Sequence, residues 1–285
     1  MRQGFSFVLA VVACAGLSMP FAPARAADLG GYGGYKDGTP PADDWNITAL
    51  KVGGILVVQP KYEGSNEYEV FGFPYIFPVF GDGAPGFFSR IDARGLDDIR
   101  FKLIDRDGFV AGPLAGYTLG RDEDDGDLLR GLGDVDGGVV AGAFVGYHLG
   151  PVLFDVSFHN TFGDDGGYLV RFGAEWERPI RERTTLTARV GATYADDEYM
   201  QNYFGISAAQ SARSVAGLPA FDADAGFKDV YVELGLKADI DERWSARTTL
   251  RYSRLIGDAA DSPVVESEDQ FQALIGLTYK FDLGR

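Results

Sequence analysis

Ser157 and His159 stand two residues apart, the spacing that puts two side chains on one face of a strand. A serine beside an imidazole is the pairing outer-membrane lipid hydrolases use for acyl transfer. The alternation of Val152, Phe154, Val156 and Phe158 sends those apolar groups to one face and Ser157 and His159 to the other. A lipid substrate approaches from the apolar face, so the pair is expected to be structural and no catalytic residue is assigned. A second candidate is the loop Arg121-Asp122-Glu123-Asp124-Asp125-Gly126-Asp127, followed by Asp134 and Asp136. Carboxylate oxygens of this density suit Ca²⁺ or Mg²⁺. With Gly126 at the turn position, an EF-hand would need acidic ligands at 121 and 123, and position 121 is arginine. The expectation is a solvated loop with no bound metal or cofactor, offering at most loose divalent bridging to lipopolysaccharide. No G-x-S-x-G, H-E-x-x-H, P-loop or dinucleotide motif appears.

The third group is the most informative: Arg171, Glu175, Glu177, Arg189, Asp229, Glu233, Lys237, Arg247 and Arg251. Each falls on the polar face of an alternating segment. Opposite signs mix rather than forming rings of one sign, so the expected role is a cross-strand ion-pair network filling a narrow lumen. A small selective pore is the alternative.

The segments that carry these charges alternate with period two. In 228–239, Val230, Val232, Leu234 and Leu236 oppose Asp229, Tyr231, Glu233 and Lys237; in 168–177, Tyr168, Val170, Phe172 and Trp176 oppose Arg171, Gly173 and Glu175. The segments 244–253 and 271–281 follow the same rule, with one apolar and one mainly polar face. A soluble sandwich buries the apolar face, whereas a membrane barrel turns it to lipid. Segments of about 10 to 14 residues are long enough to cross a bilayer when tilted. Aromatics at their ends (Tyr168, Trp176, Trp244, Tyr252, Tyr279, Phe281) suit interface girdles. Twelve strands are expected, near 46–60, 68–80, 86–93, 97–105, 108–120, 137–149, 151–162, 166–178, 183–196, 227–240, 242–256 and 269–281. The third and fourth have the faintest pattern, so ten is the alternative count. Tight turns at 81–85, 106–107, 150–151, 179–182 and 241 alternate with the long polar loops 121–136, 197–226 and 258–268. The expected fold is therefore all-β, a transmembrane antiparallel up-and-down β-barrel with short turns and both mature termini in the periplasm. Glycines 112, 116, 142, 146, 173, 191, 235 and 276 sit within strands, mostly facing inward, where a narrow barrel needs small residues. In the loop 197–226, Ser207 is a plausible N-cap for a short helix; the loop either folds over the barrel mouth or forms an external contact surface.

Composition agrees. The 285 residues include 39 glycines, 13% aromatics and one cysteine, with 26 basic against 42 acidic residues, and the mean hydropathy is −0.07. A net charge of −16 excludes the positive footprint of a nucleic-acid binder. Residues 1–26 read as a secretory signal: Arg2, an apolar run from Phe5 to Leu17, and Ala24-Arg25-Ala26 as the cleavage site. Val11-Val12-Ala13-Cys14 is a rival lipoprotein box. Cleavage after Ala26 leaves 24 basic against 42 acidic residues, a net charge of −18, and no thiol. Residues 27–45 form a Gly-rich periplasmic lead-in containing Tyr32, Tyr35 and Trp45, and 46–285 form the outer-membrane barrel of a Gram-negative envelope.

Local strings spread over most of the chain resemble the MipA/OmpV family of outer-membrane proteins. They are Tyr62-Glu63-Gly64-Ser65; Gly112-Pro113 with Tyr117 and Gly120-Arg121; Asn202-Tyr203-Phe204-Gly205-Ile206-Ser207; Arg254 through Gly257-Asp258-Ala259-Ala260-Asp261-Ser262-Pro263; and Tyr279-Lys280-Phe281. Barrels of this type often end on the aromatic, whereas Asp282-Leu283-Gly284-Arg285 follow Phe281 here. The resemblance implies a non-enzymatic outer-membrane barrel that scaffolds murein synthesis and hydrolysis. Its implied partners are a lytic transglycosylase and a bifunctional peptidoglycan synthase, besides membrane lipid and lipopolysaccharide. Other members are implied to act in adhesion or osmolarity, so a surface adhesin using the long loops is an alternative beside the pore. The family supplies no catalytic residues; Tyr62, Gly64, Gly112, Pro113, Arg121, Gly205, Gly257, Asp258, Asp261, Ser262 and Pro263 are motif positions without a role.

Overall fold

The computed structural model describes residues 47–80 and 90–283. The expected signal segment 1–26, the lead-in 27–45 and the turn 81–85 lie outside the described residues. One curled antiparallel sheet holds thirteen strands and runs from β2 at one edge to β3 at the other, with no ladder joining those edges among the described residues. Ten strands are long: β1 (Ile47–Pro60), β2 (Tyr68–Phe80), β6 (Phe109–Arg121), β7 (Val135–Leu149), β8 (Val152–Phe162), β9 (Gly167–Arg181), β10 (Thr184–Ala195), β11 (Gly226–Asp239), β12 (Trp244–Leu255) and β13 (Asp269–Asp282). From β6 to β13 each pairs with its neighbour in sequence, and β1 pairs with both β2 and β13. No helix among the described residues is long and apolar enough to cross a membrane.

The period-two pattern decides which face meets lipid. On β11, Val230, Val232, Leu234 and Leu236 are exposed while Asp229 and Tyr231 are buried. On β8, Phe154, Val156 and Phe158 are exposed, whereas Asp155, Ser157 and His159 are buried. Polar groups inside and hydrocarbon outside invert the order of a water-soluble protein, as a barrel wall in a bilayer requires. Aromatic pairs stand near strand ends, with Trp244 edge-on to Tyr279 at 4.9 Å and Tyr279 edge-on to Phe281 at 4.5 Å.

The region read as the third and fourth strands differs from expectation. It folds into three short pieces: β3 (Ile91–Gly95), β4 (Asp98–Phe101) and β5 (Ile104–Arg106). The β4–β6 ladder has two residue pairs, Ile99 with Ala115 and Arg100 with Leu114. The sequence here, Asp92, Arg94, Asp97, Asp98 and Arg100, carries charge at nearly every other position and little hydrocarbon to offer a bilayer. Its side chains turn instead toward the interior faces of β7 to β10, so the β3–β4 hairpin lines the lumen. β6 makes room for it: a Cβ at Gly112 would lie 1.8 Å from the Phe101 carbonyl oxygen.

Candidate functional site: a charged lumen beneath a packed loop lid

Asp155, on the inward face of β8, is the hub of the lumen. Its side chain is fully buried, and three guanidinium groups converge on it. Arg100 from β4 approaches at 2.8 Å, Arg189 from β10 at 2.7 Å, and Arg94 from β3 at 3.7 Å. Further carboxylates balance this cationic excess: Asp98 lies 2.8 Å from Arg100, Asp92 lies 3.2 Å from Arg94, and Glu175 lies 3.3 Å from Arg94 and 3.4 Å from Arg189. Phe144 of β7 packs 5.0 Å from the Arg100 guanidinium, a favourable seat for a cation on a ring face. In a low-dielectric interior a charge persists only when paired; groups from five strands pair every charge here, although Arg94 Nη1 and Asp155 Oδ1 make ion pairs without a hydrogen bond.

Arg189 reaches Asp155 by crossing Gly173, the residue in register with Asp155 on β9. A Cβ at Gly173 would stand 2.1 Å from the Arg189 guanidinium, so a side chain there removes the crossing. Gly173→Val should therefore break the Arg189–Asp155 pair and destabilise the folded barrel by roughly 1–3 kcal/mol. Urea unfolding of the refolded protein in micelles measures this, and an unchanged midpoint would refute the crossing.

The other expected lumen charges are placed as follows. Arg171 pairs with Asp97 at the tip of the hairpin, and Glu177 lies 3.5 Å from Lys237. Glu233 sits in register between Arg189 and Arg251, and the Arg251 guanidinium stacks 3.8 Å over Tyr231. Arg247 faces Lys237 across β11 and β12. Ser157 and His159 do meet, Oγ to Nε2 at 2.9 Å. The Ser157 oxygen also accepts a hydrogen bond from Arg100 at 3.1 Å, and both residues are buried in the lumen, away from the lipid face.

Sequence reasoning missed Arg94, Asp98, Arg100 and Asp155. Alternation on β8 marks Asp155 as inward, a signal that was available; the short β3 and β4 give none. Lys228 was also missed. A bulge pairs Thr193 with Asp229 and Tyr194 with Phe227, so Lys228 and Asp229 both turn inward, which strict alternation forbids. Lys228 lies 2.7 Å from Glu63 and 3.0 Å from Asp229. The Thr193 hydroxyl donates to Asp229 at 3.0 Å, and the Tyr199 hydroxyl donates to Glu63 at 3.3 Å.

These last contacts tie the lumen to a lid formed by the loops. The 197–226 loop holds helices α1 (Asp197–Tyr203) and α2 (Ala208–Arg213), the second capped by Ser207 as its sequence suggested. A short helix α3 (Asp258–Asp261) lies in the β12–β13 connection. Loop apolar residues form two small cores. One gathers Tyr62, Leu129, Leu132, Ile206 and Val264; the other centres on Met200, Phe204, Ala223 and Ala259. Each large aliphatic or aromatic group buried there is worth about 1.5–3 kcal/mol, enough to hold irregular backbone in one arrangement. The loop thus packs over the mouth rather than standing free.

The motif residues assemble this lid. The Tyr62 hydroxyl donates to the Val264 carbonyl at 3.2 Å, and Arg121 donates to the Tyr203 carbonyl at 2.9 Å. Burial pushes the Tyr62 phenol well above its usual pKa, with the nearby Glu266 carboxylate adding to the shift. Gly64 has φ +97°, a left-handed turn that favours glycine, and its amide faces Gln270 at 3.3 Å. Gly205 follows α1 and donates to the Met200 carbonyl. Gly257 starts α3, whose Asp258 accepts from the Asp224 amide at 2.8 Å and whose last residue is Asp261. The Ser262 hydroxyl donates to the Phe204 carbonyl, with Pro263 leading into buried Val264. Gly112 seats the hairpin and Pro113 faces outward on β6. The acidic loop uses carboxylates on its own backbone: Glu123 accepts from Gly131 and Gly133 at 3.0 and 3.1 Å, and Asp134 accepts from Glu123 at 2.8 Å.

A family model described as MltA-interacting protein MipA matches residues 52–281. The MltA-interacting protein of Escherichia coli (strain K12) is 32% identical over 97 residues, covering 34% of this chain and 38% of that protein. Outer membrane protein OmpV of Vibrio cholerae is 26% identical over 173 residues, covering 59% of this chain and 63% of that protein. The matched stretches thus span well under half of the first relative and just under two thirds of the second. Among solved structures, an outer membrane channel from Pseudomonas putida F1 aligns over 85% of this chain and 99% of that one, with 11% identity and a TM-score of 0.38.

Proposed function

The chain belongs to the MltA-interacting protein MipA family, and from that premise we propose that it is a non-enzymatic scaffold that holds murein-processing enzymes at the periplasmic side of the outer membrane. The exported form begins after the signal segment 1–26, and residues 27–45 serve as a periplasmic contact segment. The observation that carries this reading is the double obstruction of the lumen, by the Asp155 cluster within and the loop lid above. A filled and covered barrel leaves its rims as the working surface. The name of the E. coli relative points to a lytic transglycosylase as one partner, and a bifunctional peptidoglycan synthase is the second. On the periplasmic rim, the tip of the β9–β10 hairpin offers exposed Arg178, Ile180 and Arg181, an apolar group between two cations that suits a protein contact.

Pull-down from detergent extracts tests this. The full mature chain should recover a lytic transglycosylase, and deletion of 27–45 or reversal of Arg178 and Arg181 to glutamate should abolish recovery. Recovery unaffected by both changes would sink the periplasmic scaffold. Loss of whole-cell binding after deletion of 205–222, with pull-down intact, would favour the adhesin instead.

A further inference from the structure

The outer face of β1 and β2 is not uniformly hydrocarbon. Gly54 and Gly72 stand where their strand neighbours Leu56, Val70 and Ile76 project outward, and Gly72 lies beneath Leu56, 3.2 Å from an added Cβ. The result is a shallow, open groove of about 930 Å³ on the apolar wall, lined by Leu56, Ile275 and Leu277 and by Trp244, Tyr279 and Phe281. Trp244 and Tyr279 also line a second hollow, of about 520 Å³, with Arg183, Asp241, Glu242 and Arg243. The two hollows share that aromatic pair as lining, one apolar and one charged.

The charged hollow has a definite polarity. Arg243 is fixed by donating to the Tyr279 hydroxyl at 3.1 Å. One oxygen of the Asp241 carboxylate, Oδ1, accepts from the amides of Arg243 and Trp244, at 2.7 Å each. That leaves the guanidinium groups of Arg183 and Arg243 for a phosphate, and the Glu242 carboxylate beside the second Asp241 oxygen for an ammonium group.

We propose that this site retains one zwitterionic glycerophospholipid, an acyl chain in the Gly54–Gly72 groove, its phosphate on Arg183 and Arg243, and its amine on Glu242. The proposal rests on the outer-membrane reading above, because the short-turn rim must face the phospholipid leaflet. Charge complementarity selects the occupant: an anionic headgroup satisfies the arginines but meets Glu242 unpaired.

Native mass spectrometry of the mature chain in mild detergent, with added phosphatidylethanolamine or phosphatidylglycerol, provides the test. One phosphatidylethanolamine should survive activation that strips other lipid, at roughly fivefold greater occupancy than phosphatidylglycerol, the scale of an exposed ion pair. Arg183→Ala with Arg243→Ala should lose it, and Gly72→Phe should block it. Glu242→Lys, at an exposed turn position, should reverse the preference toward phosphatidylglycerol. Equal occupancy by both lipids, or a preference unmoved by Glu242→Lys, overturns the proposal. Heat-modifiable migration of each variant reports the barrel separately, so failure of the lipid site is distinguishable from failure of the membrane reading.

Discussion

Replacing Asp155 with leucine should lower the stability of the refolded barrel by about 3–5 kcal/mol, read as a shift of the urea midpoint in micelles. Its carboxylate lies within 2.8 Å of Arg100 and 2.7 Å of Arg189. Without it the count is three guanidinium groups against Asp92, Asp98 and Glu175, but Arg189 loses its 2.7 Å partner and keeps only Glu175 at 3.4 Å, and Arg100 keeps only the Asp98 carboxylate. Leucine is bulkier than aspartate and adds a packing cost, so Asp155→Asn, which keeps the size and removes the charge, should show most of the same loss. Adding Arg189→Leu to Asp155→Leu should recover part of it, because removing both members of a buried pair costs less than orphaning one. Glu233→Gln, in the same lumen but with register neighbours on both sides, should move the midpoint far less. A shift below about 1 kcal/mol for Asp155→Leu would mean the arginines are balanced elsewhere, and the hub assignment would fall.

The second large effect concerns conduction. The lumen has two obstructions in series, the β3–β4 hairpin with its ion pairs and the lid held by Tyr62, Arg121 and Ser262. Series barriers open only when both are removed. In planar bilayers the mature chain should pass no resolvable current, and deletion of 205–222 alone should leave it silent. Replacing Asp92–Arg100 with a short Gly-Ser linker and deleting 205–222 together should give reproducible single-channel steps. Steps from the unmodified chain, altered by Arg247→Glu, would establish the pore reading instead.

Much of the wall was legible in the sequence. Strands expected at 46–60, 68–80 and 269–281 form at Ile47–Pro60, Tyr68–Phe80 and Asp269–Asp282, because lipid on one side and water or polar groups on the other impose strict alternation. Wherever that two-solvent constraint lapses, prediction lapses too. The β3–β4 hairpin touches no lipid, so its charged residues break the apolar alternation and mark it as a poor wall strand without saying where it packs. The inward turn of both Lys228 and Asp229 depends on a single extra residue in β11. The lid core was the least visible, since Leu129, Phe204 and Val264 come from three loops whose polar composition hides a few apolar anchors. The motif residues were recognisable as a recurring set, but only their meeting in space explains why Tyr62 and Val264 belong together.

That meeting has a consequence for biogenesis. β1 is zipped to β13 from Ala49–Asp282 to Val58–Ala273, and Tyr62 reaches Val264 across 202 residues. Contacts so distant along the chain carry a large closure entropy and form late. The β1 edge must therefore wait, unpaired on one side and rich in exposed backbone donors, until synthesis and export have delivered β13. An edge of that length is a template for intermolecular pairing, so the unfinished chain is expected to aggregate throughout that interval unless the edge is covered. Truncation within β13 should convert it from a membrane protein into an aggregation and proteolysis substrate, even though the site it removes has no chemistry of its own.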